Sequence, residues 1–137
     1  MPQICDADGS RRLVGLHGSC AAYRGLGVLL LGGSGSGKSD LLLRLIDRGF
    51  ALVADDRVVI EDGMARPEAS LAGLIELRGL GLLRLDHVAP VLLGLVLALD
   101  DEADPCGPER LPEPRFHPTL GLALLRIDPF ALSLIHI

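Results

Sequence analysis

A chain of 137 residues can bury one apolar core but not two, so whatever it does must be done by a single domain, residues 1–137. The formal charge of −5 argues against a nucleic-acid backbone as the main partner, and one Tyr, three Phe and no Trp leave few rings on which bases could stack. With 49% apolar residues, the core must be built from Leu, Val, Ile and Ala.

In chain order, residues 13–23 alternate loosely around Gly15 and Gly18, which predicts a strand pair or a bent strand; His17 lies within it. Val28-Leu29-Leu30-Leu31 is a short apolar run suited to a buried strand. The octet Gly32-Gly33-Ser34-Gly35-Ser36-Gly37-Lys38-Ser39 follows it and fits the G-x-x-x-x-G-K-[ST] phosphate-binding loop. Residues 40–48 then read as a helix whose positive end faces the loop, apolar almost all round and therefore packed on a sheet, with Gly49 placed to end it.

Residues 51–54 read as a buried strand that delivers Asp55 and Asp56 at its carboxyl end, where open α/β sheets place ligands. Val58-Val59-Ile60 with Glu61-Asp62-Gly63-Met64 predicts a hairpin strand and its turn. Ile75-Glu76-Leu77-Arg78 alternates apolar and charged residues, so Glu76 and Arg78 share a face of a half-buried strand. Residues 80–85 and 91–99 are further strand candidates that periodicity alone does not separate from buried helix. Residues 100–118 read as a long solvated loop and 121–127 as a last strand.

The octet explains itself chemically. Its four glycines let the backbone curl so that successive N–H groups point at one anion. Lys38 adds a mobile positive charge near the outer phosphates of a nucleotide triphosphate, and the Ser39 hydroxyl is placed to coordinate a Mg2+ ion bridging them. Paired acids after a later strand suit the remaining tasks, holding the metal and orienting or deprotonating a nucleophile; a solvated turn is the plainer reading of Asp55-Asp56.

Cys5, Cys20 and Cys106 are odd in number and lack metal-ligand spacing, which supports neither a disulfide framework nor a zinc site and fits a reducing cytoplasm. The longest apolar stretch, 91–99, falls well short of the ~20 residues a membrane-spanning helix needs, so no membrane partner is expected.

Four stretches carry a resemblance. Leu16-His17-Gly18, the octet, Arg48-Gly49 with Val53-Ala54-Asp55-Asp56-Arg57-Val58, and Leu74-Ile75-Glu76-Leu77-Arg78-Gly79-Leu80-Gly81 are similar, in order and spacing, to the catalytic domain of HPr kinase/phosphorylase. The resemblance implies an α/β P-loop fold like that of phosphoenolpyruvate carboxykinase, mostly β-sheet with the loop helix packed on it. It implies an ATP-dependent serine kinase acting on HPr, a small phosphocarrier protein of the sugar phosphotransferase system, with phosphorolysis of the phosphoserine as a second activity.

By matched position, Lys38 contacts the β- and γ-phosphates, Ser39 and Glu76 help hold Mg2+, and Asp55 is the general base on the seryl hydroxyl. Asp56 supports metal and loop, His17 takes the active-site histidine position and Arg78 lies in the signature strand. The blander readings are a surface ion pair for Glu76 and Arg78, and a packed core residue for His17.

The chain departs from the family pattern in three places. It resembles a short form without the family's N-terminal domain. Asp40 stands where many members have Glu, one methylene longer. The family's later Gly-Arg-Asn segment and C-terminal helices have no counterpart after Pro114, where Arg115-Phe116-His117-Pro118 and an apolar tail ending Leu134-Ile135-His136-Ile137 stand instead. Phosphorolysis and the family's hexameric assembly draw on that region, so kinase activity is the firmer expectation. Two alternatives stay open: a P-loop kinase of a small molecule, and a non-catalytic ATP-binding regulator.

Overall fold

The computed structural model describes residues 3–5, 13–33, 37–77, 80–99, 115–117 and 120–126. Its strands are β1 (Gln3–Cys5), β2 (Leu13–His17), β3 (Ser19–Tyr23), β4 (Leu26–Leu31), β5 (Ala51–Ala54), β6 (Arg57–Glu61), β7 (Met64–Pro67), β8 (Leu74–Leu77), β9 (Gly81–Arg84), β10 (Val91–Ala98), β11 (Arg115–Phe116) and β12 (Ala123–Arg126). One α-helix, α1 (Lys38–Asp47), follows β4, and a short 3-10 turn covers Ala69–Leu71. This is the expected α/β P-loop architecture, a large sheet carrying, among the described residues, a single α-helix. No helix among the described residues is long and apolar enough to cross a membrane.

The main sheet runs β1-β2-β6-β7-β10-β4-β3-β5, with β12 also paired to β10 and β11 to β12. Strand β10 is its spine. One edge lies parallel to β4 along its length, and the other meets β7 antiparallel at Val91 and Leu92 and β12 parallel from Val96 to Ala98. Strand β3 is antiparallel to both β4 and β5, so β4 and β5 point the same way and end on one edge. That shared edge brings the phosphate loop and the acid pair together.

Strands β3, β4 and β5 are apolar on both faces because both faces are covered. Leu29, Cys20 and Val53 point into a core shared with Val58, Val96 and Leu124, while Leu30, Ala21 and Leu52 point to the other side against Leu41, Leu42 and Leu45 of α1. Burial pushes the Cys20 thiol up to about 12, so it packs there as a small apolar group. The helix ends in a Schellman motif at Gly49 (φ 105°): its N–H donates to the Ile46 carbonyl at 3.1 Å and that of Phe50 to Leu45 at 3.0 Å. The β6–β7 hairpin closes through Asp62 and Gly63, both at positive φ, as a type I′ turn requires.

Residues 13–23 form two strands that do not pair with each other. Strand β2 joins β1 and β6, and β3 joins β4 and β5, with the chain bending between them at Gly18. A β-carbon at Gly18 would lie 2.8 Å from the Leu30 carbonyl oxygen and 3.0 Å from Leu31 Cδ2, and the Gly18 N–H donates to the Asp56 carbonyl at 3.1 Å. Backbone cannot yield as a side-chain tip can. Gly18→Ala is therefore expected to destabilise the fold by about 1–3 kcal/mol, read as a lower urea midpoint at unchanged slope.

Most of the expected loop 100–118 lies outside the described residues, but its end contains strand β11, paired antiparallel with β12. Between these strands His117 is buried, and its Nδ1 accepts the Leu120 N–H at 3.2 Å. Burial lowers its pKa from the ordinary 6.5. The unfolded chain thus takes up a proton near pH 6.5 that folded His117 still refuses, so stability is full above that pH and is lost as pH falls from 6.5 towards the lowered folded value. Urea midpoints of the unaltered chain are expected to drop over that window more steeply than those of His117→Asn, which keeps a neutral acceptor.

Candidate active site

The site lies at the edge where β4 and β5 end. Leaving β4, the chain presents the carbonyls of Gly32 and Gly33, and Lys38 at the start of α1 folds back so that Nζ donates to them at 2.6 and 3.2 Å. Gly37 caps the helix in a left-handed conformation (φ 99°) and its carbonyl accepts the Leu41 N–H at 2.9 Å. A side chain would strain that position, which accounts for the octet's last glycine. Ser34, Gly35 and Ser36 lie outside the described residues.

Asp55, one residue beyond β5, is 5% exposed, and three elements converge on its carboxylate. Ser19 of β3 donates its hydroxyl to Oδ1 at 2.7 Å. Ser39 of α1 stands 3.2 Å from Oδ1 and 3.4 Å from Oδ2. The backbone N–H of Glu76, on β8, donates to Oδ2 at 3.2 Å. A buried carboxylate needs such donors, and here they also hold strand, loop helix and hairpin in one geometry.

The sequence reading passed over Ser19, which looks like a small filler in an apolar strand. Its signal is a hydroxyl, fully buried, immediately after the bend that brings β3 beside the loop.

Asp56 behaves differently. It is exposed, sits at φ 75°, and its carboxylate lies 3.7 Å from His17 Nδ1, itself exposed at the end of β2. A left-handed non-glycine residue turns its side chain away from its neighbour's, so the two acids face different surroundings. His17 is therefore not a core residue. The Glu76 side chain is exposed on β8, and it is the backbone amide of this residue that meets the Asp55 carboxylate. Asp40, in the first turn of α1, pairs with Arg44 at 3.2 Å along the helix surface. Arg78 lies outside the described residues, so its shared face with Glu76 is not described.

Lys38, Ser39, Asp55 and Glu76 are thus brought to one place, with Asp56 and His17 alongside. Among the described residues no group of three His, Cys, Asp or Glu side chains could by itself hold a metal. A serine hydroxyl, carboxylates and a lysine beside a helix N-terminus are the hard-oxygen and cationic groups that a metal-bound polyphosphate needs.

The geometry has relatives. Over 71 residues the chain is 49% identical to the HPr kinase/phosphorylase of Chlorobium chlorochromatii, covering 47% of this chain and 21% of that protein. Over 89 residues it is 42% identical to the enzyme of the same name from Clostridium tetani, covering 62% and 28%. The chain thus matches about a quarter of the length of these curated relatives. Among solved structures, the HPr(Ser) kinase/phosphatase from Coxiella burnetii superposes with a TM-score of 0.61 at 24% identity, covering 84% of this chain and 80% of that one, which shows the shared fold. A family model for the HPr serine kinase C-terminal domain matches residues 11–89, from before β2 through the acid pair and β8 to the approach to β10. With more than half its length in that match, this chain belongs to the HPr serine kinase C-terminal domain family.

Proposed function

We propose that the chain is a cytoplasmic serine kinase that transfers the terminal phosphoryl group of Mg·ATP to a seryl hydroxyl of HPr. The observation that carries this reading is the Asp55 carboxylate, bonded to the Ser39 hydroxyl of the phosphate loop helix and to the Glu76 amide. Phosphoryl transfer depends mainly on alignment and charge stabilisation, and this linkage supports both.

In the reaction the seryl oxygen forms a bond to the γ-phosphorus while the bond from that phosphorus to the β,γ-bridging oxygen breaks, releasing ADP. Asp55 accepts the seryl proton on a carboxylate oxygen, so the attacking oxygen gains electron density as the new bond forms. Lys38 gives up its contacts with the Gly32 and Gly33 carbonyls for phosphate oxygens. The loop and helix N–H groups hold the same anion. Ser39 and Glu76 would hold magnesium, which when bound would neutralise phosphate charge that repels the nucleophile. Asp56 and His17, exposed beside the acid, face the side from which a protein acceptor arrives. Arg78, two positions after Glu76 in the sequence, matches the family's signature arginine.

The test is purified full chain with labelled ATP, magnesium and HPr. Phosphoserine on HPr is the expected product. Saturable nucleotide binding by folded protein with no label on HPr would overturn the kinase reading in favour of a regulator.

A further inference from the structure

We propose that Ser19 is a positioning residue for phosphoryl transfer, holding the Asp55 carboxylate in its working orientation once the other donors are drawn into the reaction. The inference rests on the kinase reading above. No part of the phosphate-loop pattern includes this serine, and it reaches the site from β3, a strand that offers the site no other side chain described here.

The three donors to Asp55 are not equivalent. The Ser39 contacts, at 3.2 and 3.4 Å, spread one hydroxyl proton over both carboxylate oxygens, and the lone pairs of that hydroxyl are the ones a metal needs. The Glu76 amide belongs to a strand whose own carboxylate is a metal ligand in the proposed function, so its position shifts with that ligand. Ser19 has neither task. Its contact is the shortest at 2.7 Å, it is fully buried, and strands on both sides clamp β3. A charge-assisted bond of that length between two buried groups fixes the carboxyl plane.

With Ser19 on Oδ1 and the Glu76 amide on Oδ2, the carboxyl plane is fixed, and the lone pair that Ser39 gives up is the one left to take a proton from an acceptor hydroxyl. Without Ser19 the carboxyl can rotate about its Cβ–Cγ bond, and the acid is present but misaligned. Small misplacements of a reacting group cost rate far more than affinity.

The experiment compares unaltered chain, Ser19→Ala and Ser19→Cys, with folding checked by urea denaturation. Cysteine has nearly the same shape and a weaker donor. Ser19→Ala is expected to lower kcat for HPr phosphorylation about 10- to 100-fold while Mg·ATP affinity stays within about twofold, and Ser19→Cys is expected to fall between it and the unaltered chain.

A second readout needs no acceptor protein. Binding of Mg·ADP with aluminium fluoride, which mimics the phosphoryl group in transfer, is expected to weaken by a similar factor in Ser19→Ala while Mg·ADP binding does not. Unchanged kcat and unchanged analogue affinity in folded Ser19→Ala would overturn the inference. So would equal losses in nucleotide affinity and turnover, which would make the hydroxyl a prop of the fold alone. Failure of the unaltered chain to label HPr would instead strike the kinase reading, and the analogue titration would still decide the role of Ser19.

Discussion

Asp55→Asn is expected to bind Mg·ATP within a few-fold of the unaltered chain and to transfer phosphate to HPr about 10²- to 10⁴-fold more slowly, the range removed with a general base. The fold tolerates the change for a specific reason. An amide presents one acceptor and one donor where the carboxylate presented two acceptors. The Glu76 N–H can only donate, so the amide oxygen turns to it, and the amide nitrogen faces Ser19 and Ser39, whose hydroxyls rotate to accept. All the contacts survive, but the one oxygen that remains belongs to an amide and is too weak a base to take the seryl proton. Calorimetry of Mg·ATP binding and single-turnover labelling of HPr check the two halves. Turnover equal to that of the unaltered chain would remove Asp55 from the chemistry.

Lys38→Ala is expected to lose both binding and transfer. A hydrogen bond to a charged group contributes about 1.5–3 kcal/mol, which corresponds to Mg·ATP binding weaker by about 10- to 100-fold. Transfer falls further, by about 10²- to 10³-fold in kcat, because charge on the transferring group is stabilised most in the transition state. The fold itself has little at stake. Lys38 is only part-buried and its partners are the loop carbonyls of Gly32 and Gly33, which water can serve in its place. A thermal unfolding midpoint close to that of the unaltered chain, together with lost calorimetric heat, is the expected pair of results. Full-strength binding by Lys38→Ala would mean that the octet does not grip the nucleotide through this residue.

Much of this was legible because the informative patterns are local. Strand, glycine-rich turn, lysine, serine and helix follow within about twenty residues, and Gly37 at φ 99° and Gly49 at φ 105° answer local backbone demands. The acid pair after 51–54 and the Asp62-Gly63 turn are readable for the same reason. What stayed hidden depends on long-range pairing. Nothing near β4 announces that its neighbour is β10, more than sixty residues onward, or that β2 and β3 part company at Gly18. Without that topology Ser19 is one small residue among Cys20, Ala21 and Ala22. It gains a role only when β3 and β5 pair and carry it to Asp55, thirty-six positions away. Strand β11 was likewise invisible, since Arg115-Phe116 is too short to show a period and forms against β12.

Strands β8 and β9 form a two-stranded sheet of their own, separate from the large one. Ile75 seats this hairpin against Leu41, Leu42 and Leu45 of α1, and the Glu76 amide ties it to Asp55, while Leu80 and Leu82 point outward at 84% and 70% exposure. Leu77 and Leu85 pack against the same cluster, so the ribbon is held by a small apolar seat and a polar tether, and it is thermodynamically linked to whatever competes for the tether. A ligand that draws the Asp55 carboxylate away loosens the ribbon, and one that adds a bond to the same oxygens stiffens it. The outward-facing Leu80 and Leu82 thus ride on the same ribbon as the tether to Asp55.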